Sequence, residues 1–320
     1  MVIYRGDQAT VGWGKETSFG TVQDTTSGSF GIMETFNAPD PKLDIKYHRI
    51  VGQGRDLLYQ IEGKHVVETG ISFIPQDFEL LEFAFGTRVT SGTAGTYSLG
   101  SGKTWVYAGA DTGLIPSMTI ETTFSPGQTS FPRQFVGCKV DKLTITAEEE
   151  GEVKFDMDLK GQRYLVPSDA SPVPKIYTNN PFLFHNGSMS MWGTTFGKVT
   201  TFELSLANNL KPKFYIASGA ISAKFAGDMI EGVRDYELTT TVIAQDRLVW
   251  NELTSATVSG FTTVLRLGIA SHAVAVVCNN CVISEAPHNI PEDKAEVPVE
   301  IKMIPRTVVA YENYPPSEGY

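Results

Sequence analysis

The chain has 320 residues, with 26 Lys and Arg against 36 Asp and Glu, a formal net charge of −10 and 41% apolar side chains. At ~150 residues per domain, that length suggests about two domains and a sizeable core. The apolar and aromatic content excludes a disordered chain, and the shortage of basic residues argues against a dedicated nucleic-acid binder. No run approaches the ~20 apolar residues of a membrane span. The opening Met1-Val2-Ile3-Tyr4-Arg5-Gly6-Asp7 lacks the apolar stretch of an export signal. Cys138, Cys278 and Cys281 are too few for a disulfide framework, so reduced thiols are expected.

In chain order, residues 1–30 read as an arm, rich in Gly and Thr from Gly20 to Gly31. A strand is predicted over Tyr59–Ile74. A short helix follows at Gln76–Gly86, with Asp77 as N-cap, a stripe of Leu80, Leu81 and Ala84, and Gly86 as stop. Thr87–Gly113, rich in Gly, Ser and Thr, reads as an inserted loop holding a short strand at Trp105–Tyr107. Strands are then predicted at Met118–Thr122 and Phe135–Thr146, with Glu148-Glu149-Glu150 at a hairpin tip. From Gly151 to Lys160, Val153, Phe155, Met157 and Leu159 alternate with Glu152, Lys154, Asp156 and Asp158, the signature of a sheet with one wet side. Residues 167–174 are a Pro-rich linker. Beyond it, strands are predicted at Thr201–Leu206, Ile221–Phe225, Val233–Val242 and Thr262–Ile269, with a second short helix at Gln245–Thr254. From Ala295 to Met303, Val297, Val299, Ile301 and Met303 again point inward, with Glu296 and Glu300 on the wet face.

The two helices sit in a concealed repeat. Ile61-Glu62-Gly63 and Ile230-Glu231-Gly232 are 169 residues apart, and at the same offset Glu68 meets Glu237, Ile74 meets Ile243 and Gln76-Asp77 meets Gln245-Asp246. The closing strands match at an offset of 144, Leu159 on Met303, which leaves 169 − 144 = 25 extra residues in the first copy, placed at 87–113. The expectation is a mainly β chain of two related antiparallel β-sandwich or barrel units, each with one short flanking helix. They cover 31–166 and 175–310, and 311–320 form a tail.

Several motifs resemble chemistry without supplying it. Gly100-Ser101-Gly102-Lys103-Thr104 suggests a phosphate loop, but the required earlier glycine is Tyr97, and strand-like Trp105-Val106-Tyr107 follows where a helix is needed. Cys278-Asn279-Asn280-Cys281 has the spacing of half a zinc site, and no second pair completes it, so two thiols at a strand turn are expected. No nucleophile elbow or ordered acid/base set emerges. Neither an enzyme nor a cofactor is expected.

Gly14-Lys15-Glu16-Thr17-Ser18-Phe19-Gly20-Thr21 is followed by Gly137-Cys138-Lys139-Val140-Asp141-Lys142-Leu143-Thr144-Ile145-Thr146. Next come Pro181-Phe182-Leu183-Phe184 and Phe202-Glu203-Leu204-Ser205-Leu206-Ala207-Asn208-Asn209. In this order, over residues 12–305, these segments resemble the tail tube (major tail) proteins of tailed bacterial and archaeal viruses. The resemblance implies a virion protein, made in the host cytoplasm, whose sixfold or pseudo-sixfold rings stack into a tube for DNA delivery. It implies contacts with the tape measure protein in the lumen, with the tail terminator and with tail-tip or baseplate proteins, with DNA only passing through. If each unit equals one tube fold, rings are trimeric and pseudo-hexameric; otherwise they are hexameric. Wet-face Glu152, Asp156, Asp158, Glu296 and Glu300 are then the expected lumen acids, against the alternative of an ordinary outer face. Gly20, Thr21, Thr87, Gly100 and Lys103, in the arm and the inserted loop, are the expected contacts between rings. Rival readings are a two-domain β-sandwich adhesin or carbohydrate-binding module, which should show an export signal and a patch of exposed aromatics, and a β-sandwich glycosidase, which needs paired carboxylates in a cleft.

Overall fold

The computed structural model describes residues 9–36, 42–48, 59–91, 99, 103–109, 114–124, 131–168, 179–196, 198–216, 224–243, 251, 260–269, 272–287 and 297–314. The first half contains β1 (Ala9–Lys15), β2 (Ile32–Phe36), β3 (Lys42–His48), β4 (Tyr59–Ile74), α1 (Leu81–Phe85), β5 (Gly86–Ser91), β6 (Lys103–Gly109), β7 (Met118–Phe124), β8 (Phe131–Glu148), β9 (Lys154–Gly161) and β10 (Arg163–Leu165). After a 3-10 turn at Phe184–Asn186 come β11 (Ser188–Met191), β12 (Thr194–Phe196), β13 (Val199–Ala207), β14 (Lys211–Lys213), β15 (Asp228–Ile230), β16 (Asp235–Ile243), β17 (Phe261–Ile269), β18 (His272–Glu285), β19 (Pro298–Ile304) and β20 (Thr307–Tyr314). The chain is mainly β, and every strand pairing is antiparallel.

Alternation decides which face each strand buries. In β9, Phe155, Met157 and Leu159 are buried while Asp156 and Asp158 are exposed. β16 and β19 repeat this with Leu238, Thr240 and Val242 and with Val299, Ile301 and Met303 inward. These strands belong to one long sheet in the order β2-β4-β9-β8-β13-β16-β19-β18. Two further sheets, β1-β7-β8-β10 and β5-β6-β20-β18-β17-β11-β12, supply the other layer. A continuous core, including Trp13, Phe83, Phe155, Phe202, Val276 and Met303, fills the space between the layers.

The pairing registers occur twice. In β4·β9, Thr69, Ile71 and Phe73 oppose Leu159, Met157 and Phe155. In β16·β19, Leu238, Thr240 and Val242 oppose Met303, Ile301 and Val299, at the same offsets of 169 and 144. β7·β8 pairs Met118 with Cys138 and Ile120 with Phe135, and β17·β18 pairs Phe261 with Cys281 and Thr263 with Cys278, both 143 residues on. β10 lies on β8 as β20 lies on β18, with Arg163 opposite Val136 and Thr307 opposite Asn279. Even the short β14·β15 ladder, Lys211 opposite Ile230, reproduces Lys46 opposite Ile61 in β3·β4.

The irregularities recur as well. An extra residue interrupts the ladder at Glu34 in β2 and at Thr200 in β13, and again at Asp141 in β8 and Ser284 in β18. A third bulge carries Gly137 (φ 71°) in β8 and Asn280 (φ 51°) in β18. It bends each long strand from one sheet layer into the other, which is what bulges with a left-handed residue do.

The structure departs from the sequence reading in several places. The expected tail 311–320 begins inside β20, where Glu312 and Asn313 are buried. Where the strand expected at Ile221–Phe225 is described, Lys224 and Phe225 form a turn and a bend. Helix α1 is shorter than Gln76–Gly86: Asp77 does not cap it but accepts the Glu79 amide at 3.1 Å, and the Phe78 amide is taken by the Glu312 carboxylate at 3.0 Å, so residues 76–80 form turns instead. Gly86 does stop the helix, at φ 106°. Within 87–113, residues counted as loop form the β5·β6 hairpin, because Tyr107 on β6 is fully buried and β6 pairs with β20. Within the arm, β1 is a sheet strand anchored by buried Trp13, and residues 20–31 fold back on it through the Trp13 amide to the Gly28 carbonyl at 3.0 Å. Glu148-Glu149-Glu150 is exposed at the β8–β9 turn, as expected. The helix predicted at Gln245–Thr254 lies outside the described residues except for Asn251.

Candidate functional site

The outer face of the long sheet is one continuous polar surface. Reading across its strands, Ser72, Asp156, Thr144, Ser205 and Glu237 form one cross-strand row. Gly70, Asp158, Lys142, Ala207 and Asp235 form the next. Glu148, Thr201, Thr241 and Glu300 form a third. Each of these residues alternates with a buried neighbour (half-buried Tyr236 in the case of Asp235), so all project away from the core. The rows cross the β8·β13 pairing without interruption, so residues from both halves of the chain share the face.

Of the expected lumen acids, Asp156, Asp158 and Glu300 stand exposed on this face. Glu152 precedes β9, half-buried in a bridge to Leu183. Glu296 lies outside the described residues. The alternation that selected those residues also runs through β13 and β16, where Glu203, Asp235 and Glu237 extend the acidic surface. Lysines temper it in pairs: Lys154 Nζ lies 2.9 Å from Glu34, and Lys302 Nζ lies 3.3 Å from Glu285 and 3.8 Å from Glu300. Exposed pairs of this kind contribute ~0–1 kcal/mol, so their effect is on surface potential more than on stability. Ser and Thr between them present hydroxyls without charge.

The residues expected between rings are not clustered. Gly20 (φ 78°) is buried; its amide is donated to the Glu16 carboxylate at 2.9 Å, and an added Cβ would lie 2.2 Å from Gln162. Thr21 is exposed beside it, hydroxyl to hydroxyl with Ser18 at 2.7 Å. Thr87 lies in β5 and donates to the Ala108 carbonyl at 2.7 Å. Lys103 opens β6, and Gly100 lies outside the described residues.

Three buried polar hubs escaped the sequence reading. Glu16 accepts from the Ser117 and Thr119 hydroxyls at 2.6 and 2.9 Å and from the Gly137 amide at 2.7 Å, tying the turn after β1 to β7 and β8. Asn208 donates to the Ala84 and Val140 carbonyls at 3.0 Å and accepts from Arg234 Nε at 3.1 Å. Glu312 on β20 accepts from the Phe78 amide and from the Tyr107 hydroxyl at 2.7 Å, and faces His272 Nε2 at 2.9 Å. Burial and the neighbouring Glu312 and Glu79 carboxylates hold Asp77 well above its ordinary 3.8. The only advance signal was the landmark position of Glu16 and Asn208 in polar turns; their partners are distant in sequence.

The motifs with chemical overtones have structural roles. Cys278 and Cys281 flank the Asn280 bulge, both buried, and burial raises both thiols above their ordinary range. They sit in the interior of β18, not at a strand turn as expected, because the left-handed Asn280 bends the strand without ending it. Cys281 occupies the place of Cys138 in the first half, so the pair reflects two buried positions around a bulge. Among the described residues, no group of three or more His, Cys, Asp or Glu side chains is placed to hold a metal. Lys103-Thr104 begins a strand, not the helix that a phosphate loop requires. A pocket bounded by Phe184, His185, Met189, Phe196, Leu265 and Leu267 contains no carboxylate pair. No helix among the described residues is long and apolar enough to cross a membrane.

A search of curated proteins returns no match. The phage tail tube protein family matches residues 6–303, nearly the whole chain. A structural role in the tail of a virion, by assembly of this protein with itself into a tube, follows from that match, and the chain belongs to the phage tail tube protein family.

Proposed function

We propose that the chain is two tube units, residues 31–166 and 175–310, which close into rings with further copies and stack into the conduit for viral DNA. The polar face of the long sheet lines the bore. One observation carries this reading: Asp156, Asp158, Glu203, Glu237 and Glu300 share a single unbroken face that crosses the β8·β13 pairing. A bore must pass a polyanion without holding it, and an acidic, hydroxyl-rich wall does that by repulsion. Glu152 and Glu296 are proposed to extend the same wall. Sixfold geometry would be met by three chains if both units are equivalent, and by six if they are not. The Gly20-Thr21 turn and the hairpin residues Thr87, Gly100 and Lys103 are proposed to meet the next ring. The tape measure, tail terminator and tail-tip or baseplate proteins are the proposed partners along the tube, and synthesis takes place in the host cytoplasm.

Replacing Asp156, Asp158 and Glu300 by Lys tests the bore assignment. Tubes should still form, seen by negative-stain microscopy, while genome delivery slows. Unaltered infectivity would place this face on the outside of the tube.

A further inference from the structure

Two buried carboxyl groups, one from each half of the chain, meet where β6 lies on β20. Asp77 of the first half is 6% exposed. Its Oδ1 accepts the Glu79 amide at 3.1 Å, and its Oδ2 is buried with no hydrogen-bond partner among the described residues. Glu312 of the second half is fully buried, and both of its oxygens are engaged. Oε1 takes the amide of Phe78, next to Asp77, at 3.0 Å and faces His272 Nε2 at 2.9 Å, while Oε2 takes the Tyr107 hydroxyl at 2.7 Å.

The groups around Asp77 decide which form of it the site accepts. Glu312 faces it from β20, Glu79 from its own turn, Arg88 from β5 and Tyr107 from β6, and His272 on β18 reaches it through Glu312. The Phe78 ring packs on Phe155 and Phe182, which bring no charge. Arg88 is the one cation in this set that does not depend on a proton at neutral pH, and it is paired with Glu79. A charge on Asp77 therefore stands in a dry site beside two of its own sign, whereas the neutral acid needs no counter-charge. The β8·β13 pairing, which also joins the halves, keeps its charged Lys142, Glu148 and Glu203 exposed.

We infer that the proton on Asp77 is a latch on the β6·β20 side of the joint between the halves. With the proton in place, the turn at 76–80 stays closed on Glu312. Once it leaves, repulsion between the two carboxylates lets that turn, Tyr107 and the end of β20 part, while β8·β13 holds. Opening exposes Asp77 to water, where it releases its proton at its ordinary 3.8; burial and the Glu312 and Glu79 charges raise that value in the closed state. Closure is accordingly most stable below 3.8, weakens as pH rises from there, and levels off when Asp77 is ionised in the closed state as well. None of this depends on which face lines the bore.

Hydrogen exchange read by mass spectrometry, corrected for the intrinsic rate at each pH, tests the latch. Protection of 76–80, β6 and β20 should fall by up to about tenfold per pH unit above 3.8 and then level, while that of β8·β13 changes little. Asp77→Asn keeps an oxygen for the Glu79 amide and should flatten the profile. Glu312→Gln removes the opposing charge and should give a smaller total fall. His272→Gln should keep the fall, because the proton that matters is on Asp77. If circular dichroism shows that Asp77→Asn does not fold, Asp77→Ser removes the same proton and takes its place. A flat wild-type profile, a fall shared equally by β8·β13, a fall that survives loss of the Asp77 carboxyl, or one abolished by His272→Gln would each overturn the inference.

Discussion

The two halves of the chain share strand order, registers and bulges, yet they are not equally furnished. The first carries the β5·β6 hairpin, which lies on β20 of the second. The second ends in a long β20, whereas its counterpart β10 stops at Leu165. These two differences are one device. The hairpin lengthens the sheet of the other half, and Glu312 fastens the contact by taking hydrogen bonds from Phe78 and Tyr107, both of the first half. Arg88 of the hairpin stacks 3.9 Å over Trp105 and pairs with Glu79. A repeat that is symmetric in its sheets is thus asymmetric in its fastenings, and the added residues reinforce the joint within the chain.

That contrast can be broken most directly at Glu312. Glu312→Ala leaves the Phe78 amide and the Tyr107 hydroxyl buried without their acceptor, at ~1–3 kcal/mol for each orphaned group. Urea denaturation should show a loss of about 3 kcal/mol or more, and a variant as stable as wild type would mean that the clasp is idle. A smaller effect separates the paired bulges. Gly137→Ala places a Cβ 2.7 Å from the Gln162 Cβ at a left-handed position, so a loss of more than ~1 kcal/mol is expected, whereas Asn280→Gly relaxes the equivalent residue and should be neutral or slightly stabilising. Equal losses from both would show that the two bends are held in different ways.

The smallest effect is on pH dependence. Burial and the Glu312 and Glu79 charges raise the Asp77 carboxyl above its ordinary range, so the folded state binds its proton more tightly than the unfolded chain. Stability from this group is therefore greatest below its ordinary 3.8 and falls as pH rises from there towards the raised folded value. Asp77→Asn keeps an oxygen for the Glu79 amide and removes the titration. Its denaturation midpoint should fall less than that of wild type as pH rises above 4, and parallel pH profiles would contradict the assignment.

Much of the fold was legible in the sequence because alternation is written in single residues. Val153 to Leu159 and Val297 to Met303 announced their faces, and β4 runs over the full predicted Tyr59–Ile74. The offsets of 169 and 144 marked strands that pair in the same register. The other correspondences were illegible: β1 on β11 pairs Trp13 with Met191 at an offset of 178, β2 on β13 pairs Met33 with Val199 at 166, and β3 on β14 pairs Tyr47 with Pro212 at 165. The offset changes at each loop, and the residues themselves do not repeat. The length of α1 was misjudged because Phe78 is bonded to a residue 234 positions away, which no local pattern encodes. Of the wet face, alternation supplied Asp156, Asp158 and Glu300; its continuity from β9 to β16 needed the β8·β13 pairing, a long-range contact.

The shared bulges also determine where the chain can change length. Strand faces alternate with a period of two, so deleting Asp141 or Ser284 alone would turn everything beyond it to the opposite face. The steps between 178, 166, 165, 169 and 143 all fall in the connections between strands, which differ in length between the halves while the three bulges hold the same places. A peptide tag inserted between Gly109 and Met118 should therefore be tolerated where a single residue added within β8 is not.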